Sequence, residues 1–465
     1  MKKYIFTLAI ASVCFANSAF AQGDNSDPSL LSITSEKNNL EFTAGGRLMS
    51  DVAYYHSDFT TLKSGAAISD ARIRASLKYN KLYLYADFDF SGGKFAQKDL
   101  YLRYNLKEGG NGTHSIKAGF YADPASMGYN TSRYQYHFIT RAAPIEALVT
   151  GRQLGATYKF YNKYMLLDQG IFAENRYNNQ EAGYQGITLA GRWVYKAIRS
   201  DDMTLHVGAA ARYAKMNTGY VEKNIFKQSQ SFGASLETSV DATDRFLHVD
   251  LPWASSNLNL SGELLFHTNK FFARGEYLYK HVGKTQPTQE LLEAQLGGLW
   301  SAGSIAAYQK FIPYRDNKFS GAYVELGYLL FGNRYSYNDE MGVLDGMNDD
   351  NALEVVARYS FVNLNDIVDG EYFLRGSKKF YAGEMTSAAA NATSDPAGYY
   401  YYMDYPLPST SVPGGKAHLV SLGLNYTFNK YVKLMAEYKY TRVDHYYYDL
   451  DKNIHAAQLK MMFSF

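Results

Sequence analysis

The strongest constraint on this chain is a repeated alternation of apolar and polar side chains. It runs through segments of about ten residues that are separated by turn-forming residues, a pattern typical of strands. In residues 81–90, Leu82 and Leu84 lie on one face, whereas Asp87 and Asp89 lie on the other. A period of two places successive side chains on opposite faces of a β-strand, so we predict an all-β fold.

Two all-β architectures fit this alternation, a soluble β-sandwich and a transmembrane barrel. The predicted strands are about 9–12 residues long, as a tilted strand needs to cross a bilayer, whereas soluble strands average about 5–6. Their polar faces carry ionised side chains on strand after strand, and Tyr and Phe concentrate near strand ends. A water-filled lumen and two aromatic girdles explain both features. We therefore predict a transmembrane antiparallel β-barrel.

The N-terminus has the features of a secretory signal. Lys2 and Lys3 precede an apolar run that is too short to span a membrane as a helix, and the small residues around Ala21 fit a cleavage site. No later stretch reaches 18 apolar residues. The predicted division is a signal peptide at 1–21, a short N-terminal periplasmic segment at 22–39 and one barrel domain at 40–465. We expect export to the cell outer membrane.

Charge and cysteine content exclude several kinds of function. Cleavage after Ala21 leaves equal numbers of basic and acidic residues, so the strongly basic face of a nucleic-acid binder is not expected. The single cysteine, Cys14, lies in the signal, so no disulfide or Cys-based zinc site is expected. No His-Glu-x-x-His metal motif, phosphate-binding glycine loop or nucleophile motif is present. We predict no cofactor, no metal and no catalytic residue.

Turn signals set the predicted strand order. Asn-Lys pairs at 80–81, 162–163, 269–270 and 429–430 separate strands, and Asn tolerates the positive φ that tight hairpin turns need. All four pairs fall at the same end of the predicted barrel. The count gives 18 strands: 40–56, 68–79, 81–91, 98–107, 113–122, 149–160, 164–174, 186–198, 203–215, 258–267, 271–281, 291–300, 304–312, 320–331, 351–361, 417–428, 431–441 and 454–465.

Several short motifs, in this order and spacing, resemble the phosphate-selective porin O and P family of outer-membrane channels. The motifs are Gly45-Gly46-Arg47 with Asp51, Asp70-Ala71-Arg72-Ile73-Arg74, Ile116-Lys117-Ala118-Gly119 with Pro124 and Thr131-Ser132, Gly151-Arg152-Gln153-Leu154-Gly155, Leu353-Glu354-Val355-Val356-Ala357-Arg358-Tyr359-Ser360, Gly414-Gly415 and Leu422-Gly423-Leu424-Asn425-Tyr426. The last strand ends on Phe465, which is similar to the signal that barrel-assembly machinery reads.

The resemblance implies a barrel of 16 strands, two fewer than our count, assembled as a homotrimer in outer-membrane lipid. It also implies an inward-folded constriction loop at 123–148 and passive passage of small anions or other hydrophilic solutes. Family members often carry a paired Arg-Arg near strand two, where this chain has Ala71-Arg72. One cation of the pair is therefore missing, and we expect at most a weak, phosphate-like anion preference.

Five arginines are candidates for pore lining and anion contact. Arg72 and Arg74 are two residues apart, so both face the predicted lumen. The connection at 123–148 offers Arg133 and Arg141 together with His137, and Arg152 follows on the next strand. Guanidinium groups fixed in a lumen can replace part of an anion's hydration shell. Alternatively, these cations form a solvated wall and pair with Asp87, Asp89 and Asp99. Both interpretations remain open.

Two other functions are consistent with a barrel. One is an outer-membrane enzyme of the lipase type, which needs a nucleophile beside a His or acidic cluster. His206 and His267 lie on predicted strands, but no nucleophile motif accompanies them, so we predict that the chain is not an enzyme. The other is an adhesive or glycan-binding barrel, whose contact would be the tyrosine-rich stretch 398–405 within the long connection 362–416.

Overall fold

The fold was determined from a computed structural model of the whole chain. The structure describes residues 28–57, 62–93, 95–173, 186–216, 230–244, 246–251, 254–285, 315–345, 351–367, 372–375, 378–381, 412–444 and 452–465. The predicted signal peptide, the predicted strands at 291–312 and the tyrosine-rich stretch 398–405 lie outside the described residues.

Strands dominate the described part of the chain. In chain order they are β1 (Leu31–Ser35), β2 (Leu40–Ser57), β3 (Gly65–Tyr79), β4 (Leu82–Asp89), β5 (Ala96–Lys107), β6 (Thr113–Ala122), β7 (Arg152–Tyr161), β8 (Met165–Ala173), β9 (Ile187–Arg199), β10 (Met203–Lys215), β11 (Gln230–Gly233), β12 (His248–Leu251), β13 (Ala254–Thr268), β14 (Phe271–Lys284), β15 (Asn317–Phe331), β16 (Tyr337–Asn338), β17 (Val343–Leu344), β18 (Ala352–Asp366), β19 (Tyr372–Arg375), β20 (Lys378–Tyr381), β21 (Val412–Asn429), β22 (Val432–Asp444) and β23 (Lys452–Ser464). The helices are α1 (Met127–Asn130) and α2 (Ala143–Leu148), with 3-10 turns at Glu36–Asn38 and Arg133–Gln135.

Sixteen of these strands form one closed antiparallel barrel. The members are β2 to β10, β13 to β15, β18 and β21 to β23, each paired with its neighbours in chain order. Pairing between β2 and β23, which brings Arg47 opposite Ser464, closes the barrel. The 16-stranded prediction is confirmed. The count of 18 was too high because β14 pairs directly with β15, which leaves no place in the barrel for strands at 291–312.

The predicted alternation is visible in the exposure of the barrel side chains. On β5, Leu100 and Leu102 are exposed on the outer face, whereas Tyr101 and Arg103 are buried on the lumen side. The same pattern runs through the other barrel strands, so the outer face carries a belt of apolar side chains. Such a belt is unfavourable in water and favourable in the hydrocarbon of a membrane. No helix in the described part of the chain is long and apolar enough to cross a membrane.

The four Asn-Lys turns lie at one end of the barrel, which we call the short-turn end, as predicted. The reason for asparagine differs between turns. Asn80 has the expected positive φ of 53°. Asn162 and Asn429 have no positive φ, and each side chain accepts hydrogen bonds from the backbone N–H groups two and three residues later. These turns therefore use side-chain hydrogen bonding rather than a left-handed backbone.

The barrel closes tightly around Gly45 and Gly46, because a Cβ at either position would lie less than 3 Å from Phe465. Gly46 N–H donates to the backbone carbonyl of Phe465, and Phe465 N–H donates back to the carbonyl of Gly46. A Cβ on Gly46 would lie 2.6 Å from the Arg72 carbonyl oxygen and 2.6 Å from the Phe465 ring. Below this contact, β1 pairs with residues 40–44 of β2 as an additional strand outside the barrel ladder. Glycine is therefore needed where the Phe465 backbone and ring press against β2.

Candidate pore and vestibule

The connection between β6 and β7 folds into the barrel, as the resemblance implied. Its short helices are capped locally, because Ser126 accepts a hydrogen bond from Tyr129 N–H and Ser132 forms a capping box with Gln135. Pro144 occupies the first turn of α2, where it costs no helical hydrogen bond. We call residues 123–151 the inward segment.

Charged side chains of the barrel wall hold the inward segment through its backbone. Carboxylates accept from its N–H and hydroxyl groups, and ammonium and guanidinium groups donate to its carbonyls. The contacts are Glu276 with Ser126 Oγ (2.8 Å), Glu437 with Ile139 N (3.0 Å), Lys433 with Tyr136 O (2.7 Å), Lys460 with Ile139 O (2.7 Å) and Arg358 with Thr140 O (2.9 Å). All five wall residues lie on β14 to β23, so one half of the lumen serves as the anchoring side.

Two further segments enter the lumen. Residues 230–244 pack beside α2, where buried Glu237 accepts from Ala143 N–H at 2.8 Å and contacts the Arg358 guanidinium. From the short-turn end, the β16–β17 hairpin enters the barrel, and its Asp339 pairs with Lys196 (2.7 Å) and Arg199 (2.8 Å). These two segments fill part of the lumen beside the inward segment.

Two cavities lie beside the inward segment, the smaller lined by wall residues of β2 to β7 and the larger also by residues of β10, β14 and β23. A narrow cavity of 100 Å³ lies between the inward segment and the wall, and we call it the constriction cavity. A larger cavity of 890 Å³ lies on the other side of the inward segment, and we call it the vestibule. Tyr129, Arg133 and Arg141 line both cavities, so these three residues lie between them.

All five arginines singled out in the sequence line the constriction cavity. Arg72 and Arg74 reach it from β3, Arg133 and Arg141 from the inward segment, and Arg152 from the start of β7. Two basic residues that sequence reasoning did not assign also line it, Arg47 on β2 and Lys117 on β6. Both stand in motifs that carried the family resemblance and at inward positions of their strands, which was a usable signal.

Most of these arginines have carboxylate partners. Arg72 bridges Asp70 (2.9 Å) and Asp87 (2.7 Å). Arg152 binds Asp99 through two hydrogen bonds of 2.8 Å, and Arg133 lies 3.4 Å from Asp70. Of the three aspartates expected to compensate the wall, Asp87 and Asp99 pair with candidate arginines. The third, Asp89, instead pairs with Lys98 at 3.1 Å.

Arg141 differs from its neighbours. Within the described part of the chain no carboxylate forms an ion pair with it; its guanidinium donates to the Tyr129 carbonyl at 3.0 Å. The group lies over two aromatic rings, 4.4 Å from the centroid of Tyr129 and 5.7 Å from that of Tyr136. Cation–π contacts orient a guanidinium without neutralising its charge. Arg141 therefore presents a fixed cation between the two cavities, with Glu146 as an acidic residue that interacts with it electrostatically without an ion-pair contact.

The constriction cavity is basic although the whole chain carries nearly equal numbers of basic and acidic residues. Seven basic side chains line it, against Asp87 and Asp99, and Asp70 lies buried behind Arg47 and Arg72. Lumen-facing tyrosines complete the wall: Tyr85, Tyr101 and Tyr121 pack against one another, and Lys117 lies over the last two rings. The local excess of positive charge attracts anions into a narrow, partly desolvated passage.

His137 does not belong to this cationic lining. Its side chain is buried against Phe272 and Tyr335, and its Nδ1 lies 2.8 Å from a Glu354 carboxylate oxygen. Burial lowers the pKa of His137, although the Glu354 carboxylate acts in the opposite direction. The described residues contain no group of three or more His, Cys, Asp or Glu side chains that could hold a metal ion.

Several solved structures resemble this one at low sequence identity. An anion-selective porin from Comamonas acidovorans is 10% identical, with 92% of this chain and 100% of that chain covered and a TM-score of 0.49. OmpT of Vibrio cholerae, in its trimer form, is 10% identical over 92% of this chain and 99% of that chain, with a TM-score of 0.48. The channel DcaP of Acinetobacter baumannii is 12% identical, with 94% of this chain and 100% of that chain covered and a TM-score of 0.46.

The family comparison covers nearly the whole sequence. None of the curated proteins matches the chain. The model of the phosphate-selective porin O and P family, by contrast, matches residues 42–465, which span the barrel from β2 to Phe465. The chain therefore belongs to the phosphate-selective porin O and P family, as a passive channel of the outer membrane and not an enzyme.

Proposed function

We propose that this porin passes small hydrophilic solutes with a mild preference for anions, and that the arginines of the constriction cavity produce this preference. The observation that carries the proposal is the excess of basic over acidic side chains around the constriction cavity. An anion entering the passage exchanges part of its hydration for fixed guanidinium donors. The preference is mild because Asp70, Asp87 and Asp99 compensate three of these cations.

Removing two of the arginines should weaken the preference. In the double variant Arg72→Gln and Arg74→Gln, the positive charge of the cavity falls, and Asp70 and Asp87 lose their shared partner. We expect the chloride-to-potassium permeability ratio to fall about threefold, because the local potential controls which ion enters. Reversal potentials in planar bilayers under a salt gradient measure this ratio.

The opposite change provides the comparison. Asp87→Asn removes one negative charge from the same cavity and should raise the chloride-to-potassium ratio. Arg334→Gln serves as the control, because Arg334 lies at the short-turn end, paired with Asp202 and outside both cavities. Cation preference in the unmodified porin would contradict the proposal. An unchanged ratio in the double variant would assign both arginines to the wall and not to the selective passage.

We also propose the assembly that the family resemblance implies. The exported chain loses residues 1–21, the barrel-assembly machinery reads the strand that ends at Phe465, and the folded porin forms a homotrimer in outer-membrane lipid. Native mass spectrometry of the detergent-solubilised porin measures both the mass of the mature chain and the number of protomers. A monomer under conditions that preserve folded barrels would contradict the trimer.

A further inference from the structure

The vestibule differs from the constriction cavity in size. At 890 Å³ it falls in the range of about 300–1,000 Å³ that small organic ligands occupy. The inward segment forms its floor, residues 68–69 of β3 form one wall, and residues 230–244 form the opposite wall. A tetrahedral inorganic anion would contact only one corner of such a space, whereas a solute of several carbon atoms would contact floor and walls together.

Neutral hydrogen-bonding side chains make up about a third of the vestibule lining. Ten of its side chains are Ser, Thr or Gln, compared with four Ser, Thr, Asn or Gln side chains in the constriction cavity. Hydroxyl groups both donate and accept hydrogen bonds, and amide side chains offer both kinds of atom. A lining of this composition matches a solute with many hydroxyl groups better than it matches a simple ion.

Several polar side-chain atoms of the residues that line the vestibule have no hydrogen-bond partner among the described residues. They include Tyr136 OH, Thr140 Oγ1, Gln230 Oε1 and Arg212 Nη1. Tyr136 is 8% exposed and Arg212 is 2% exposed, so these two polar atoms are buried in residues of the cavity lining. Buried polar groups are normally hydrogen-bonded.

The Arg141 guanidinium in the vestibule is suited to bind a carboxylate. Other basic residues of the lining have carboxylate partners: Arg133 pairs with Asp70, Arg212 with Asp123 at 2.9 Å, and Lys460 with Asp51 at 3.4 Å. Arg141 has none in the described structure, and its buried Nε is unpartnered. A planar guanidinium fits a carboxylate through two parallel hydrogen bonds.

The acidic residues of the lining limit how much negative charge the vestibule favours. Glu146 in the floor and Asp244 in the wall at 230–244 both belong to the lining. A multiply charged anion would meet repulsion from these carboxylates, whereas a solute with one negative charge needs only Arg141. The site therefore fits a single carboxylate attached to a neutral, hydroxylated body.

From these features we propose that the vestibule binds sugar acids, such as aldonates and uronates, before they enter the constriction cavity. Arg141 holds the carboxylate, with the Tyr136 hydroxyl beside it, and the Ser, Thr and Gln side chains contact the hydroxyl groups. This inference rests on the proposed function, because it names the class of solute that the same channel binds in its vestibule.

Competition with chloride current tests the proposal. Gluconate, propionate, glucose and inorganic phosphate are added in turn to the full-length porin in planar bilayers. We expect gluconate to reduce chloride conductance at about tenfold lower concentration than propionate or glucose. Propionate has no hydroxyl groups to form the neutral hydrogen bonds, and glucose has no carboxylate to form the charge-assisted ones. Inorganic phosphate should also require a higher concentration than gluconate.

Two variants separate the two parts of the site. Arg141→Gln should weaken gluconate block about tenfold, to the level of glucose, because the charge-assisted hydrogen bonds are lost. Gln230→Ala with Ser231→Ala should weaken gluconate block and leave propionate block unchanged, because propionate has no hydroxyl groups to contact these residues. Arg334→Gln, outside both cavities, should leave every block unchanged.

Each alternative result has a distinct meaning. Equal block by glucose and gluconate would overturn the role of Arg141 as carboxylate anchor, and equal block by propionate and gluconate would overturn the hydroxyl contacts. Calorimetric titration of the solubilised porin with gluconate measures the same site without conduction. Absent binding there would overturn this inference alone. Retained binding in a porin that conducts no chloride would support the site and contradict the proposed function.

Discussion

A valine at position 46 should prevent the barrel from closing. Gly46 exchanges two backbone hydrogen bonds with Phe465, and any Cβ there would lie 2.6 Å from a backbone oxygen of β3 and from the Phe465 ring. Because a backbone atom is involved, side-chain movement alone cannot relieve the clash. Overpacking of this kind costs about 1–3 kcal/mol before the lost hydrogen bonds are counted. We expect the assembled fraction to fall at least about tenfold.

Heat-modifiable migration on gels measures this effect, because a closed barrel resists detergent and migrates differently from the unfolded chain. Gly262→Val is the matched control. Gly262 also lies on a barrel strand, β13, but no atom stands within 4 Å of the position that its Cβ would occupy. Normal assembly of Gly46→Val would mean that β2 and β23 can pair without the close contact at Phe465.

Loss of the Glu237 carboxylate should separate residues 230–244 from the inward segment. Glu237 is fully buried; it accepts from Ala143 N–H in α2 and contacts the Arg358 guanidinium on the barrel wall. Removing one partner of a buried ion pair costs about 3–5 kcal/mol, since the remaining charge is left in a poorly solvated place. In Glu237→Ala we expect larger and noisier single-channel conductance, because residues 230–244 would separate from the inward segment.

Single-channel recording checks this expectation, and heat-modifiable migration confirms that the barrel itself has formed. Glu237→Gln should have an intermediate effect, because the amide oxygen still accepts from Ala143 N–H but carries no charge. Glu108→Ala is the control, an exposed carboxylate in a turn at the short-turn end. Steady conductance of normal size in Glu237→Ala would show that other contacts hold the two segments in place.

The alternation of the sequence was sufficient to locate the barrel strands. Each of the sixteen strands corresponds to a predicted segment, because a period of two with one lipid-facing side leaves little freedom of register. The alternation does not indicate which strands pair with each other, so it also predicted barrel strands at 291–300 and 304–312. The direct pairing of β14 with β15 shows that the barrel closes with sixteen strands.

The site was less predictable, because facing inward does not determine what a side chain contacts. Arg72 and Arg358 have the same inward orientation on their strands. Arg72 lines the open passage, whereas Arg358 is buried and holds the Thr140 carbonyl. His137 shows the same limit, since its position in the inward segment suggested a cation and its buried contact with Glu354 makes it structural. These distinctions depend on contacts between residues more than 200 positions apart in sequence.

The one-sided placement of the inward segment has a consequence for how this channel can change over evolution. The charged residues that line the constriction cavity come from one early stretch, Arg47 to Arg152, whereas the five wall anchors named above lie on β14 to β23. Substitutions in the early stretch can therefore alter which solutes pass without disturbing the anchors. Solute preference can diversify among descendants of this porin while a separate part of the chain preserves the shape of its pore.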